Sequence, residues 1–345
     1  MEQKFEFRGD AKEWFGIWIV NLVLTLATFG IYSAWAKVRR NQYFYNNTYV
    51  AGRNFDYHAT GKQILIGRLI VFVGFIVYSV LGAIPILGLV LPFLLLFLLP
   101  WLIVRALMFN ARMSSWSNVR FGFTGKPLRA FLVYFLFPFL SVFTLGLAYP
   151  LVDRAAKKFS INNHRLGSAR FDLDVAIAPF YKAAGIALAW IVLVLVVFAL
   201  PLLGTVTQMF QDPSGEPTPT QIGTFIGAFY GIFILGFLPA LFIYQAFIRN
   251  AVYNSTTLQG GHRFRSTVAP LKLFWIAVSN AVIVLFTIGL MLPWAQIRLS
   301  RYLADNTSLL PGPSLDEFVN RLEDEASALG DAYADLDGFD VGLPV

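Results

Sequence analysis

Three long stretches of this chain contain no charged side chain and constrain its fold more than any other feature. Residues 69–104, 183–211 and 221–248 hold no Asp, Glu, Lys, Arg or His. Each is long enough for the roughly 20 apolar residues that cross a bilayer as a helix, and the first, interrupted by Gly82 and Pro85, predicts two helices. Charged residues make up 14% of the chain, against about 25% in soluble domains. The sequence therefore predicts an integral membrane protein.

Three shorter apolar segments share a pattern that points to duplication. They are residues 14–36, 128–152 and 271–295. When Thr28 is aligned with Thr287, eight of 21 positions are identical, where average composition gives roughly one or two. Each segment also contains a Thr-x-Gly sequence whose glycine disfavours a continuous helix. These glycines are Gly30, Gly146 and Gly289.

These observations predict an all-α polytopic membrane protein with about seven hydrophobic helical segments. Three of the segments are the repeat elements broken at Thr-x-Gly, and each is followed by a basic, amphipathic stretch suited to the membrane interface. We divide the chain at residues 1–118 for repeat 1 and 119–258 for repeat 2, each with a broken segment, a basic loop and a helical hairpin. Repeat 3, residues 259–313, has only the segment and loop, and residues 314–345 form an acidic tail.

The connecting loops divide sharply by charge. Four are basic, residues 37–62, 105–129, 153–182 and 249–272, whereas the connections at 82–85 and 212–220 carry no basic residue. The positive-inside rule places the basic loops, and with them both termini, in the cytoplasm. This conflicts with the three broken segments, each of which has basic flanks at both ends. Two explanations stay open: the segments enter and return on one side, or they are kinked spans of a seven-helix bundle.

Several motifs near the start resemble a known family. The pattern F-x-G-x-A-x-x-x-F-x-I-W includes Phe7, Gly9, Ala11, Phe15 and Trp18, and is followed by LTLATFGIYSAWAKVRRNQYFYNNT and by FDYHATG at residues 55–61. The sequence resembles the YjgN-like bacterial inner-membrane proteins, grouped as domain of unknown function 898. The resemblance is specific over roughly the first 70 residues and excludes the acidic tail. It implies a location in the bacterial cytoplasmic membrane and supplies no mechanism.

The sequence offers little for catalysis. It has no cysteine, and His58, His164 and His262 lack the HExxH spacing that places two metal ligands on one helix face. Nucleophile-elbow and phosphate-loop motifs are also missing. We therefore expect no enzyme activity, metal, cofactor or nucleic-acid partner.

Two functions remain, and they use different residues. Internal repeats and broken helices favour transport or permeation of a neutral or lipid-like small solute, with candidate path residues Asn21, Thr25, Thr28, Gly30, Thr144, Gly146, Asn280, Thr287 and Gly289. The alternative is a structural or lipid-organising protein that binds anionic headgroups through basic and aromatic side chains. Its candidates are Trp35, Lys37, Arg39, Arg40, Tyr43, Arg154, Lys157, Lys158, Trp294, Arg298, Arg301 and Tyr302.

The tail from residue 314 is strongly acidic, with nine Asp or Glu residues against Arg321. Leu315, Phe318, Leu322 and Leu329 have helical spacing and predict a short amphipathic helix over 315–329. Beyond Gly330 the composition favours disorder. The tail either folds back onto the basic loops and competes with anionic lipids, or remains solvated and available to a soluble partner.

Overall fold

The chain consists of a β-barrel from which pairs of helices extend. The computed structural model describes residues 2–211 and 216–336, without the side chains of residue 326 and residues 328–336. Within these ranges the order strand, helix, helix, strand occurs five times, followed by one further helix. The strands are β1 (Gln3–Phe7), β2 (Thr48–Val50), β3 (Arg53–Tyr57), β4 (Ser114–Trp116), β5 (Val119–Phe123), β6 (His164–Leu166), β7 (Ala169–Leu173), β8 (Thr256–Leu258), β9 (His262–Ser266) and β10 (Thr307–Leu310).

The helices alternate between short and long pairs. The short pairs are α1 (Ala11–Ala27) with α2 (Ser33–Asn46), α5 (Pro127–Val142) with α6 (Tyr149–Asn162), and α9 (Pro270–Phe286) with α10 (Leu292–Asp305). The long pairs are α3 (Gly61–Gly82) with α4 (Pro85–Arg112), and α7 (Ala178–Gln211) with α8 (Pro219–Asn254). The last helix is α11 (Leu315–Leu336).

The ten described strands form one closed antiparallel barrel. Each strand pairs with its neighbours in sequence, and β1 closes the ring by pairing with β10. Short turns join one unit to the next, for example Ala51 and Gly52 between β2 and β3. All five helix pairs therefore leave and re-enter the barrel at the same end, and the short turns lie at the other.

The barrel contradicts the predicted all-α fold with seven helical segments. Its strands are only three to five residues long and most adjoin long helices directly, so each gives a much weaker pattern than the apolar segments. Pairing around a ring lets every short strand satisfy its backbone groups on both sides, which removes the exposed edges of an open sheet. The division into three duplicated repeats stays a prediction, although its boundaries at 118/119 and 258/259 fall between consecutive strands.

Aromatic side chains line the inside of the barrel. The first strand of each unit contributes one phenylalanine, and successive ring centroids in this series lie 6.1–6.4 Å apart. The five are Phe5, Phe55, Phe121, Phe171 and Phe264. The second strands add Val50, Trp116, Leu166, Leu258 and Leu309, all buried. On four of the strands the alternate positions hold exposed arginines, at residues 120, 165, 170, 263 and 265, as the pleat of a strand allows.

Helix α11 closes the end of the barrel where the short turns lie. Phe318, Val319 and Leu322 are buried and pack against the barrel core. Acidic side chains on its flanks bond the turns: Asp316 pairs with Arg53 at 3.2 Å, and Glu323 accepts from Ser117 at 2.7 Å. Of the two alternatives for the tail, contact with the rest of the protein is thus seen for α11, whereas competition with anionic lipids stays a prediction. The helix continues to Leu336 rather than ending at Leu329. The rest of the tail lies outside the described residues.

Four described helices, α3, α4, α7 and α8, are long and apolar enough to cross a membrane. The first helices of the short pairs have at most 17 residues, a rise of about 25 Å against a hydrocarbon core of about 30 Å. Their tips nevertheless expose large apolar side chains: Phe29 is 98% exposed, and Leu145 and Ile288 are each 94% exposed. The short pairs are therefore hairpins with an apolar first helix and an exposed apolar tip, and the first helix is shorter than a hydrocarbon core.

The Thr-x-Gly sequences form the turns at these tips. Thr28 Oγ1 donates to the carbonyl of Leu24 at 2.7 Å and accepts from the backbone N–H of Tyr32 at 2.9 Å, so one hydroxyl caps both helices. Thr287 makes the equivalent bonds, and Thr144 differs only in donating to the carbonyl three residues earlier, that of Ser141, at 2.8 Å. The following glycine has φ of +81° to +91° in all three turns, a conformation that glycine adopts without strain. The predicted break positions are confirmed by these turns.

Candidate functional site

A cavity of about 630 Å³ occupies the barrel and opens between the helices at the end where the pairs emerge. We call it the chamber. Its walls include the five phenylalanines of the barrel. Its mouth is formed by the last turns of α2, α6, α8 and α10, which contribute Tyr45, Ile161, Val252 and Leu303, among others. A volume of this size and lining falls in the range of small-molecule binding sites.

The floor of the chamber is held in place by a buried histidine. His262 is 1% exposed, and its Nδ1 accepts a hydrogen bond from the backbone N–H of Gly312 at 2.9 Å, just before α11 begins. Its ring centroid lies 4.4 Å from that of Phe318 on α11. Because Nδ1 accepts, the neutral ring carries its proton on Nε2, which has no hydrogen-bond partner among the described residues. His262 thus connects the barrel wall to the closing helix.

Acidification is expected to loosen this connection. Burial lowers the pKa of His262 below its usual value of 6.5, so the unfolded chain takes up the proton first as the pH falls past that value. Stability is then lost as the pH falls below about 6.5 and is retained above it. Protonation at Nδ1 also removes the acceptor for Gly312. The loss of Tm between pH 8 and pH 5.5 should be larger for the wild type than for His262→Gln; equal losses would contradict this role.

The chamber has very little charge. Among its lining residues only Arg249 carries a permanent charge, and none is an Asp or Glu. Thr48, Thr256 and Thr307 also line it, but each hydroxyl donates at 2.7 Å to the carbonyl four residues earlier in its preceding helix. The arrangement is thus a largely apolar container in which Arg249 is the one permanently charged side chain, with His164 and His262 as further polar lining residues.

A second, smaller cleft of about 390 Å³ lies between the start of α1 and the α9–α10 pair. It is lined by three cations, Lys272, Arg298 and Arg301, and by Asp10 and Asp305. It also includes Trp275 and Trp294. Basic and aromatic side chains in combination are typical of the headgroup region of a membrane. No group of three or more metal-ligating side chains was found in the described ranges.

The sequence profile described as "Bacterial protein of unknown function (DUF898)" matches residues 2–336 of this chain. The chain belongs to the DUF898 family. The motifs indicate a resemblance that excludes the acidic tail. The profile instead matches through Leu336, so the part of the tail that forms α11 belongs to the family. No solved structure matches the DUF898 chain.

The curated relatives are named as membrane proteins. Inner membrane protein YjgN of Salmonella typhimurium is 28% identical to the DUF898 chain over 349 aligned residues, which cover 88% of this chain and 87% of the relative. Inner membrane protein YjgN of Escherichia coli O157:H7 is 35% identical over 148 residues, covering 42% of this chain and 37% of the relative. The K12 strain gives 34% over 147 residues. The suspected YjgN-like family is therefore confirmed.

The predicted path residues lie outside both cavities. Those at the tips, Thr28, Gly30, Thr144, Gly146, Thr287 and Gly289, form the turns, and Thr25 Oγ1 donates to the carbonyl of Asn21 at 2.6 Å. Asn280 donates to the carbonyl of Ala295 at 3.0 Å and accepts from Arg298 at 2.9 Å, joining α9 to α10. Asn21 is buried, and its Oδ1 has no partner among the described residues. These side chains mainly hold helix pairs together.

The predicted headgroup residues divide into three groups. Trp294, Arg298, Arg301 and Tyr302 line the second cleft. Lys37, Arg39 and Arg40 are exposed on α2, where Trp35 also lies partly exposed. The remaining residues pack or pair within the protein: Tyr43 bonds the backbone of Asp10, Arg154 donates to the carbonyl of Val175, and Lys157 and Lys158 approach Asp153 and Asp174.

Sequence reasoning missed the chamber and its single cation. The five phenylalanines have no common spacing, because helix pairs of very different length separate them. The recurrence of Arg-Phe or Phe-Asp before or after the apolar segments was the available signal, since it marks alternating strands. Arg249 had no distinguishing context, being one of several basic residues in a loop region.

Proposed function

We propose that this DUF898 protein binds a lipid-like molecule in the chamber and takes it up from the membrane through the helix-lined mouth. The observation that carries this proposal is the apolar chamber, which is closed at one end by α11 and opens at the end where the apolar helices emerge. Apolar cavities of this kind favour apolar ligands because burying apolar surface contributes about 25 cal/mol per Å². Binding in the chamber is one step of transport, so this proposal develops the transport hypothesis.

The proposed membrane arrangement follows from the barrel. Because both ends of every helix pair join one end of the same barrel, all ten strands must lie on one side of the membrane. The two long pairs cross and return, and the three short pairs enter partway. The barrel exterior carries exposed arginines at residues 120, 165, 170, 263 and 265, so the positive-inside rule puts it in the cytoplasm. This arrangement removes the conflict over the basic flanks of the short segments.

A second candidate function rests on the smaller cleft. Its cations and tryptophans suit an anionic headgroup, which supports the lipid-organising alternative. Arg298 lies 5.2 Å from the Trp294 ring and donates to Ser279 at 2.7 Å, so its guanidinium is already positioned. The two candidates are compatible, because the cleft and the chamber are separate.

Filling the chamber tests the principal proposal. Leu303 lines the mouth, and Leu303→Trp should reduce the binding of 1-mono-oleoylglycerol, a neutral probe, by at least fivefold, because the larger ring occupies ligand space. The measurement is native mass spectrometry of the full-length protein in mild detergent, with the probe added in a titration.

Leu292→Trp is the matched control, since it makes the same change on α10 at a position outside the chamber lining. Both variants should retain the Tm of the wild type within a few degrees. Equal binding by both variants would overturn the proposal, and so would wild-type protein that binds no oleoyl probe, whether neutral or acidic.

A further inference from the structure

We infer that the chamber selects an acidic, single-chain amphiphile and that Arg249 holds its anionic head. This inference rests on the proposed function and adds the ligand class. An apolar container with one cation near its opening matches a molecule with an apolar chain and one negative group. The shared chemistry is a carboxylate or a phosphate monoester on one acyl chain.

Arg249 is positioned by contacts that leave its charge uncompensated. Its Nη2 donates to Thr307 Oγ1 at 2.9 Å, and its guanidinium carbon lies 4.3 Å from the Tyr253 ring centroid. Its Nε is buried and has no hydrogen-bond partner in the described part of the chain. No carboxylate among the described residues lies within 4.0 Å of it. A partly buried guanidinium without an anion is costly, and a ligand anion would remove that cost.

The geometry of an arginine also fits the ligand head. Its planar group offers several N–H donors and binds carboxylate or phosphate oxygens through two parallel hydrogen bonds. Thr307 and Tyr253 fix the guanidinium from two sides, so little side-chain freedom is lost on binding. The threonine hydroxyls of the lining donate to backbone carbonyls, and Arg249 is the one lining residue with a permanent positive charge for an anionic head.

The apolar chain of the ligand would extend from Arg249 toward the floor. Val252 and Leu303 lie beside the arginine at the mouth, and the phenylalanines of the barrel continue the apolar surface inward to Leu315. A ligand that enters head first would instead place its charge among these aromatic rings, where the described lining offers no second permanent charge. The head therefore stays at the mouth, close to the membrane surface.

The test compares three probes that share an oleoyl chain and differ in the head: oleate, 1-oleoyl lysophosphatidic acid and uncharged 1-mono-oleoylglycerol. Dissociation constants are measured by native mass spectrometry on the full-length protein in uncharged detergent. Wild type should bind the two acidic probes about 10- to 100-fold more tightly than the neutral one, the ratio expected for a charge-assisted hydrogen-bonded pair. Arg249→Gln should abolish that preference and leave the neutral probe unchanged within threefold. Tighter binding of oleate would indicate a fatty acid as the ligand class, and tighter binding of 1-oleoyl lysophosphatidic acid would indicate a lipid phosphate.

Two variants control for folding and for general charge. Arg249→Lys keeps the positive charge and should lower the affinity for acidic probes less than Arg249→Gln does. If the glutamine variant fails to fold, the lysine variant should still show a reduced preference for the acidic probes, because lysine lacks the two parallel hydrogen bonds. Arg170→Gln removes an exposed arginine from the barrel exterior and should change none of the three constants. Equal wild-type affinity for all probes would overturn the inference and leave chamber binding intact. Failure of every probe to bind would overturn the proposed function as well.

Discussion

Single cysteines at Asn46 and Ser160 are expected to remain unlabelled by an impermeant maleimide in intact cells, whereas a cysteine at Thr220 should be labelled fully. Asn46 and Ser160 lie in the last turns of the second helices of two short pairs, next to barrel strands, while Thr220 lies in the first turn of α8 at the far end of a long pair. A closed barrel cannot have strands on both sides of a membrane. The chain lacks cysteine, so each reporter is read without background.

A cysteine at Ala83, between α3 and α4, is the second outside reporter and should behave like Thr220. After lysis, the cysteine at Asn46, an exposed position, should react. Labelling of Ser160 but not Asn46 in intact cells would mean that the short segments span, and it would contradict the barrel itself. Labelling of both, with Thr220 protected, would keep the barrel and reverse the assigned sidedness.

The substitution Leu322→Asp is expected to release α11 from the barrel. Leu322 is 1% exposed in the barrel core, and removing a buried leucine side chain typically costs about 2–5 kcal/mol, to which the aspartate adds the cost of a buried charge. Few side chains hold the helix, so this loss should detach it without unfolding the barrel. Hydrogen exchange should show lost protection of the amides of α11, with the strand amides still protected.

Asn320→Asp adds the same carboxylate on the exposed face of α11, two residues away, and should leave protection unchanged. This comparison separates loss of packing from added negative charge. Unchanged protection of α11 in Leu322→Asp would show that the buried contacts do not hold it, whereas global loss of protection would show that α11 is required for the barrel to fold.

The long helices could be predicted from the sequence, and the barrel could not. The four candidate spans can be recognised because each consists of one continuous run of mostly apolar residues. Strand β2, by contrast, is Thr48–Val50, and its pairing with Phe5 and Asn54 depends on segments that helices or turns separate. Three residues carry too little periodicity to indicate a strand. The alternation of inward apolar and outward polar residues becomes evident only when all ten short strands are aligned in the barrel.

The residues of the candidate site were also only partly predictable from the sequence. Thr28, Thr144 and Thr287 were recognised through their repetition, and repetition marked a structural requirement, the capped turn of a helix pair. Arg249 occurs once, and its importance comes from the residues that other segments bring around it. Polar residues in apolar segments drew attention to a path along the helices, although their hydrogen bonds are made within and between those helices.

The pairing of the first strand with the last imposes an order on biosynthesis. Gln3 meets Leu309 across the β1–β10 seam, so the ring cannot close until nearly the whole membrane portion has been made. At about 5–20 residues per second, the ribosome needs roughly 15–60 s to reach β10, the second strand of that pair. Throughout this interval β1 has a free edge on a chain already being inserted into the membrane, and an unpaired edge can join other strands. Barrel closure is therefore a late, non-local event, and α11, which follows β10 in the chain, can cover the end of the barrel only after the ring has closed.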